Sequence, residues 1–240
     1  MSKGKVRLVT FDVFNTLIKV RGSVGKIYSQ TAAKYNLRFD ESTLNRCFRA
    51  SFKEQTRLCP VYGTQSNVST KAWWDEVVKK TFTTAGFENT TESREKTLRE
   101  LSNDLFRDFG TASHWQTFPE SASVLEALVE KKLRLGVISN VDERLEKILE
   151  DLKLRSFFNF VICSSVVGLS KPSPKIFRLA LSKSGVTAEE TLHIGDDVDL
   201  DYWPALATGM KAFLVDRTGK VNGGNGDHIL KDLTQLLLHV

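Results

Sequence analysis

Five short apolar runs rich in β-favouring residues, at 6–11, 133–138, 160–163, 192–194 and 212–215, constrain this chain more than any other feature in it. Runs this brief and this predominantly apolar mark strands covered on both faces, since a half-exposed strand would alternate. Helical spacing fills the intervals between them. Ala122, Val124, Leu125, Leu128 and Val129 form one such set, Leu145, Ile148 and Leu149 a second, and Ile176, Phe177, Leu179, Ala180 and Leu181 a third. Strands alternating with helices predict an α/β fold with a parallel sheet flanked by helices. In such sheets ligands sit outside the carboxyl ends of the strands, so the residues that follow each run become the functional shortlist.

The stretch from 21 to 112 breaks this rhythm. Four helical patterns follow one another there, at 24–35, 41–57, 71–85 and 94–109, with no strand-like run between them. Turn-rich pieces such as Cys59-Pro60-Val61-Tyr62-Gly63 and Ala85-Gly86 separate them. The organisation expected is a core from 1–20 and 113–240 with a helical domain, 21–112, inserted into it. A glycine-rich stretch at 222–226 opens no long helix and reads as a surface loop.

Composition narrows the function classes. With 41% hydrophobic and 26% charged residues the chain is an ordinary globular one. The start lacks the uncharged core of a signal peptide, and no apolar stretch reaches the roughly 20 residues of a membrane helix. A soluble intracellular protein, cytoplasmic or nuclear and not secreted, is expected. Cys47, Cys59 and Cys163 show no CxxC spacing, which favours reduced thiols over a disulfide framework or a zinc site. Without a secretory signal the Asn67-Val68-Ser69 and Asn89-Thr90-Thr91 matches to the glycosylation pattern carry no weight. The net charge of +5 is spread along the sequence, so an anionic small molecule is expected as partner, and neither nucleic acid nor membrane. No pattern specifies an oligomeric state.

After the five runs come Asp12-Val13-Phe14-Asn15-Thr16, Ser139-Asn140, Ser170-Lys171-Pro172, and Gly195-Asp196-Asp197 with Asp201 beyond. Any one of these is ordinary, because a lone Asp after a strand is usually a cap or turn former. Together they offer a carboxylate nucleophile, a hydroxyl donor, a cation and a pair of acids at one sheet edge, a set suited to displacement at an anionic centre.

In this order and spacing the segments resemble the four motifs of the haloacid dehalogenase-like hydrolases, and the resemblance covers essentially the whole chain. It implies a Rossmann-like core with a helical (C1-type) cap inserted between the first two motifs. It further implies Asp12 as the nucleophile of a covalent aspartyl intermediate, Thr16 as a residue holding the loop behind it, and Ser139 and Lys171 as partners of the transferring group. Mg²⁺ is the cofactor implied, held by Asp12, the Phe14 backbone carbonyl, Asp196 and Asp201. Asp201 has a competing reading as a helix cap, and Asp197 falls where many relatives carry a small polar residue. Asn140, Arg49 and Trp73 are candidates for binding substrate, with Lys53, Tyr62 and Trp74 beside them. At least one of the paired tryptophans is expected to be core packing.

One departure matters. Family phosphatases carry a second acid two residues after the nucleophile, where this chain has Phe14. Positioned proton transfer contributes about 10²- to 10⁴-fold in rate. Weak phosphatase activity on a small phosphorylated metabolite is therefore expected. A catalytically silent binding protein explains Phe14 equally well. A metal-independent 2-haloacid dehalogenase is a third reading, since those enzymes have an aromatic there, but they have no use for Asp196 and Asp201.

Overall fold

The computed structural model describes residues 5–219 and 226–240, so the expected loop at 222–226 lies outside them except for Gly226. The chain divides into two compact units, Met1–Lys19 with Thr117–Val240, and Val20–Gln116. Each is described by itself.

The first unit is built on a six-stranded sheet. Its strands are β1 (Leu8–Phe11), β4 (Arg134–Ser139), β5 (Phe160–Cys163), β6 (Thr191–Gly195), β7 (Lys211–Val215) and β8 (Ile229–Leu230). They lie in the order β5-β4-β1-β6-β7-β8, and every pairing is parallel. All four residues of β1 are buried, as a mostly apolar run requires of a central strand. The strand order reverses at β1, so the crevice beyond its carboxyl end is the topological switch point of the sheet. Helices α5 (Ser121–Glu130), α6 (Leu145–Asp151), α7 (Ser164–Val167), α8 (Pro174–Ser184) and α9 (Trp203–Ala207) connect the strands. α8 shows why they begin and end where they do. Ser173 caps its first turn, Pro174 opens it at no hydrogen-bonding cost, and Gly185, at φ +65°, closes it in the left-handed conformation.

The second unit holds α1 (Val24–Ala33), α2 (Glu41–Leu58), α3 (Thr70–Thr84) and α4 (Glu92–Phe109) around a core of Ile27, Tyr28, Leu44, Val78, Phe82, Leu101 and Leu105, among others. Each helix starts one residue after a capping side chain. Ser23, Asp40, Ser69 and Thr91 accept hydrogen bonds from the backbone N–H groups of Lys26, Thr43, Ala72 and Arg94. Ser69 and Thr91 are the hydroxyl residues of the two glycosylation-like triplets, whose Ser and Thr thus serve as helix caps. Gly25 is required by close approach, because a Cβ there would lie 2.1 Å from the Glu41 carbonyl oxygen. Two short strands, β2 (Ile18–Val20) and β3 (Trp115–Thr117), pair in a separate two-stranded sheet. The three cysteines are free.

Candidate active site

Strand register brings the motif residues together. Phe11 pairs with Val137 on one side and Ile194 on the other, so Asp12 leaves β1 beside the ends of β4 and β6. Its N–H donates to the Ile194 carbonyl at 2.8 Å, which continues the ladder by one bond and fixes where the side chain starts. Ser139 is the last residue of β4, and Asp196 follows the last residue of β6.

Lys171 is the electrostatic centre of the site. Its Nζ donates to Asp12 Oδ1 and to Asp201 Oδ1, both at 2.6 Å, and it is only 4% exposed. Ser139 Oγ donates to the same Asp12 oxygen at 3.1 Å. Asp12, Asp196 and Asp201 each offer an oxygen, and these lie within 4.8 Å of one another. Gly195 permits the gathering, since a Cβ at that position would fall 2.2 Å from Asp201 Cγ.

Crowding three carboxylates out of water has a cost that shows in their acidities. Burial pushes the Asp12 carboxyl up to about 7, with Asp201 and Asp196 adding to the shift and Lys171 opposing it. Burial and the charge of Asp201 raise Asp196 to about 6. Burial would raise Asp201 too, but Lys171 and His193 outweigh it and hold that carboxyl at about 2. Lys171 itself is lifted above the ordinary lysine range, because Asp12 and Asp201 overcome its burial. Among the three acids Asp201 is therefore the one kept ionised by its neighbours.

Several expected residues make contacts the sequence does not show. Asn140, expected to bind substrate, also fastens the Lys171 backbone. Its Nδ2 donates to the Lys171 carbonyl at 2.9 Å, while its Oδ1 accepts from the Lys171 N–H at 2.8 Å. Trp73, also expected at the substrate, is a core residue of the second unit. It is 1% exposed, its indole N–H is satisfied by the Cys59 carbonyl at 2.7 Å, and Phe52, Tyr62 and Trp74 pack on its ring. Arg49 is exposed on α2 of that unit. Thr16 is fully buried and its hydroxyl has no hydrogen-bond partner among the described residues. Its carbonyl accepts from Arg217 Nη2 at 2.8 Å. Asp197, not Asp201, is the cap, for its side chain accepts from the N–H groups of Asp199 and Leu200 in the π-turn Val198–Tyr202.

Other contributors carry no motif and were not anticipated. Arg217, just past β7, donates to the carbonyls of Asn15 and Thr16 at 3.3 and 2.8 Å and pairs with Glu120 at 2.5 Å. Its guanidinium lies 3.5 Å from the centre of the Phe118 ring. The loop behind Asp12 is thus clamped from outside. Asn15 takes φ +60° there, a conformation Asn tolerates better than most residues. Thr10 and His193 lie beneath the carboxylates, and the signal that pointed to them was available: each is a polar residue inside an apolar strand.

Comparison with known proteins agrees with this geometry. The family model for haloacid dehalogenase-like hydrolases matches residues 6–209. Haloacid dehalogenase-like hydrolase domain-containing protein 3 of Xenopus laevis is 37% identical over 210 residues, covering 88% of this chain and 84% of that protein. The solved structure of a defluorinating L-2-haloacid dehalogenase superposes with a TM-score of 0.76 at 20% identity, covering 98% of this chain and 94% of the other. A haloacid dehalogenase-type phosphatase from Thermococcus onnurineus superposes with a TM-score of 0.66, also at 20% identity, covering 98% and 97%. Dehalogenases and phosphatases thus share this fold. Among the described residues no helix is long and apolar enough to cross a membrane.

Proposed function

This chain belongs to the haloacid dehalogenase-like hydrolases, and on that footing we propose that it is a Mg²⁺-dependent, phosphatase-like hydrolase of a small phosphorylated metabolite, working through an Asp12 intermediate. The observation that carries the reading is the charge balance of the site. Asp12, Asp196 and Asp201 face one another across less than 5 Å with Lys171 as their counter-ion. Fully ionised, that set has a formal charge of −2 in a buried place, an arrangement that is costly without a further cation. Three carboxylate oxygens are the donor set a hard cation prefers. In this reading Asp12, Asp196, Asp201 and the Phe14 carbonyl hold Mg²⁺, which when bound supplies charge neutralisation for an anionic substrate.

The protein's own groups then divide the work. Lys171 and Ser139 both donate to Asp12 Oδ1, so they fix the orientation of the carboxylate that attacks phosphorus. The bond from phosphorus to the leaving oxygen breaks, and its electron pair goes to that oxygen. Phe14 has no proton to give, so water must supply one, which is why turnover is slow. Water then cleaves the aspartyl phosphate, releasing phosphate and restoring Asp12.

Phe14 also favours a second reading, a protein that binds Mg²⁺ and an anionic ligand without turnover. One assay series separates the two. The purified protein is incubated with an aryl phosphate and a panel of phosphorylated metabolites, with Mg²⁺ or with chelator, beside Asp12→Asn. Mg²⁺-dependent phosphate release lost in the variant is the expected result. Mg²⁺ binding without turnover on any substrate would leave the binding reading standing, and halide release from a 2-haloacid in chelator would replace both.

A further inference from the structure

Two polar side chains interrupt the apolar interior of the sheet directly beneath the carboxylates. Thr10 of β1 and His193 of β6 are register partners on adjacent strands, and both are fully buried. Burying a hydroxyl or an imidazole is unfavourable unless its hydrogen bonds are made. Here they are made in series. Thr10 Oγ1 lies 2.9 Å from His193 Nδ1, and His193 Nε2 lies 3.0 Å from Asp201 Oδ1. Strand alternation places residues 193 and 195 on one face. That face carries a hydrogen-bonding ring at 193 and no side chain at 195, where a Cβ would collide with Asp201.

The proton positions follow from the partners. Asp201 takes the Lys171 ammonium on the same Oδ1 at 2.6 Å, which keeps the carboxylate ionised and able only to accept. The His193 proton must then sit on Nε2. Nδ1 meets the Thr10 hydroxyl at 2.9 Å, so the imidazole is held at both of its nitrogens. The Phe177 ring, edge-on to His193 at 5.2 Å between centroids, closes the side of the imidazole to other donors.

We propose that His193, held by Thr10 with its Nε2–H on Asp201, is a positioning residue for that carboxylate. It pins Oδ1 jointly with Lys171 and so leaves Oδ2 for the cation. Among the described residues the Asp197 N–H, at 3.2 Å, is what meets Oδ2. This inference rests on the Mg²⁺ reading above for its consequence, while the Nε2–H bond itself does not.

The chain has four histidines, so assignment by His193→Gln is direct. Long-range ¹H–¹⁵N correlation of the metal-free wild type at neutral pH is expected to show a proton on His193 Nε2. Mg²⁺ titration by calorimetry should then give a ten-fold or greater loss of affinity in Thr10→Val and His193→Leu, the scale typical for groups that orient a metal ligand. His193→Gln retains an N–H at the distance of Nε2 and should recover much of the affinity, which a merely space-filling role would not require. An Nε2 without a proton, or unchanged Mg²⁺ affinity in Thr10→Val, overturns the proposal even if His193→Leu fails to fold. Absence of Mg²⁺ binding by the wild type, with Nε2 protonated as expected, would instead sink the metal reading on which the role depends.

Discussion

At the scale of single residues, the site's behaviour is decided by which carboxylate is left to bear the unfavourable charge. Lys171 bridges Asp12 and Asp201, but His193 and the Asp197 N–H also support Asp201, so the imbalance falls on Asp12. With its carboxyl raised from 3.8 to about 7, Asp12 takes up its proton more readily folded than unfolded between those values. The sign is fixed by linkage: the contribution is most favourable below pH 4 and is lost as pH rises through 7. Asp12→Asn should therefore gain thermal stability over wild type in chelator, with a gap that is larger at pH 7.5 than at pH 5. A gap constant with pH would show that Asp12 titrates normally. Phe14 poses the complementary test, since it removes the proton carrier and leaves the other site residues in place. Phe14→Asp is expected to raise Mg²⁺-dependent phosphate release by about 10²-fold or more, read as initial rates on an aryl phosphate. No gain would mean that the missing acid is not what limits the enzyme.

At the scale of elements, the supports around the site are separable from it. Arg217 fastens the 13–18 loop to β7, Glu120 and Phe118, and hydrogen bonds made by a charged donor contribute about 1.5–3 kcal/mol. Arg217→Ala should speed amide exchange at Leu17 and Ile18, whose N–H groups bond the Val13 carbonyl, and Arg217→Lys should fall between because it loses the planar fork. Exchange unchanged at those amides would mean that the loop holds itself. In the other unit, Trp73→Ala should cost about 3–5 kcal/mol in denaturant melts, as truncation of a fully buried tryptophan does; a cost under 1 kcal/mol would reopen its assignment to substrate. The sequence revealed these elements unevenly, for physical reasons. Long helices and the buried central strands were legible because their periodicity and caps are local properties. β2, β3, β8, α7 and α9 were not, because elements of two to five residues owe their existence to tertiary partners. Motif spacing pointed to Asp12, Ser139, Lys171, Asp196 and Asp201, which the structure gathers at one sheet edge, but spacing says nothing of where an amide or indole points, so the Asn140 bonds to the Lys171 backbone and the burial of Trp73 were not legible. Arg217 carried no signal at all, because a loop arginine that binds distant carbonyls has no pattern to show.

At the scale of the whole molecule, Asp12 and Asp196 oppose folding where they are ionised, and that makes stability a reporter of whatever binds them. The chain as a whole is basic, +5, yet three carboxylates, two buried and one half-buried, are gathered at one sheet edge with Lys171 as counter-ion. Net charge therefore gives no guide to what the site attracts. A cation that binds only the folded state stabilises it by RT ln(1 + [L]/Kd), about 2.7 kcal/mol at a hundred-fold excess over Kd. For a protein of this length each kcal/mol moves Tm by about 2–4 °C, so saturating Mg²⁺ should raise Tm by roughly 5–10 °C over chelator. Asp196→Asn and Asp201→Asn should each abolish most of that rise, although Asp196→Asn also relieves repulsion and should begin from a higher metal-free Tm at pH 7.5, where a carboxyl of pKa about 6 is charged. Asp201→Asn has no such relief, because it removes the negative charge on which Lys171 and His193 converge, and its metal-free Tm should fall. The opposite signs of those two baselines, with the same loss of the Mg²⁺ response, are what a shared cation site requires. A metal-independent hydrolase would show the baselines without the response.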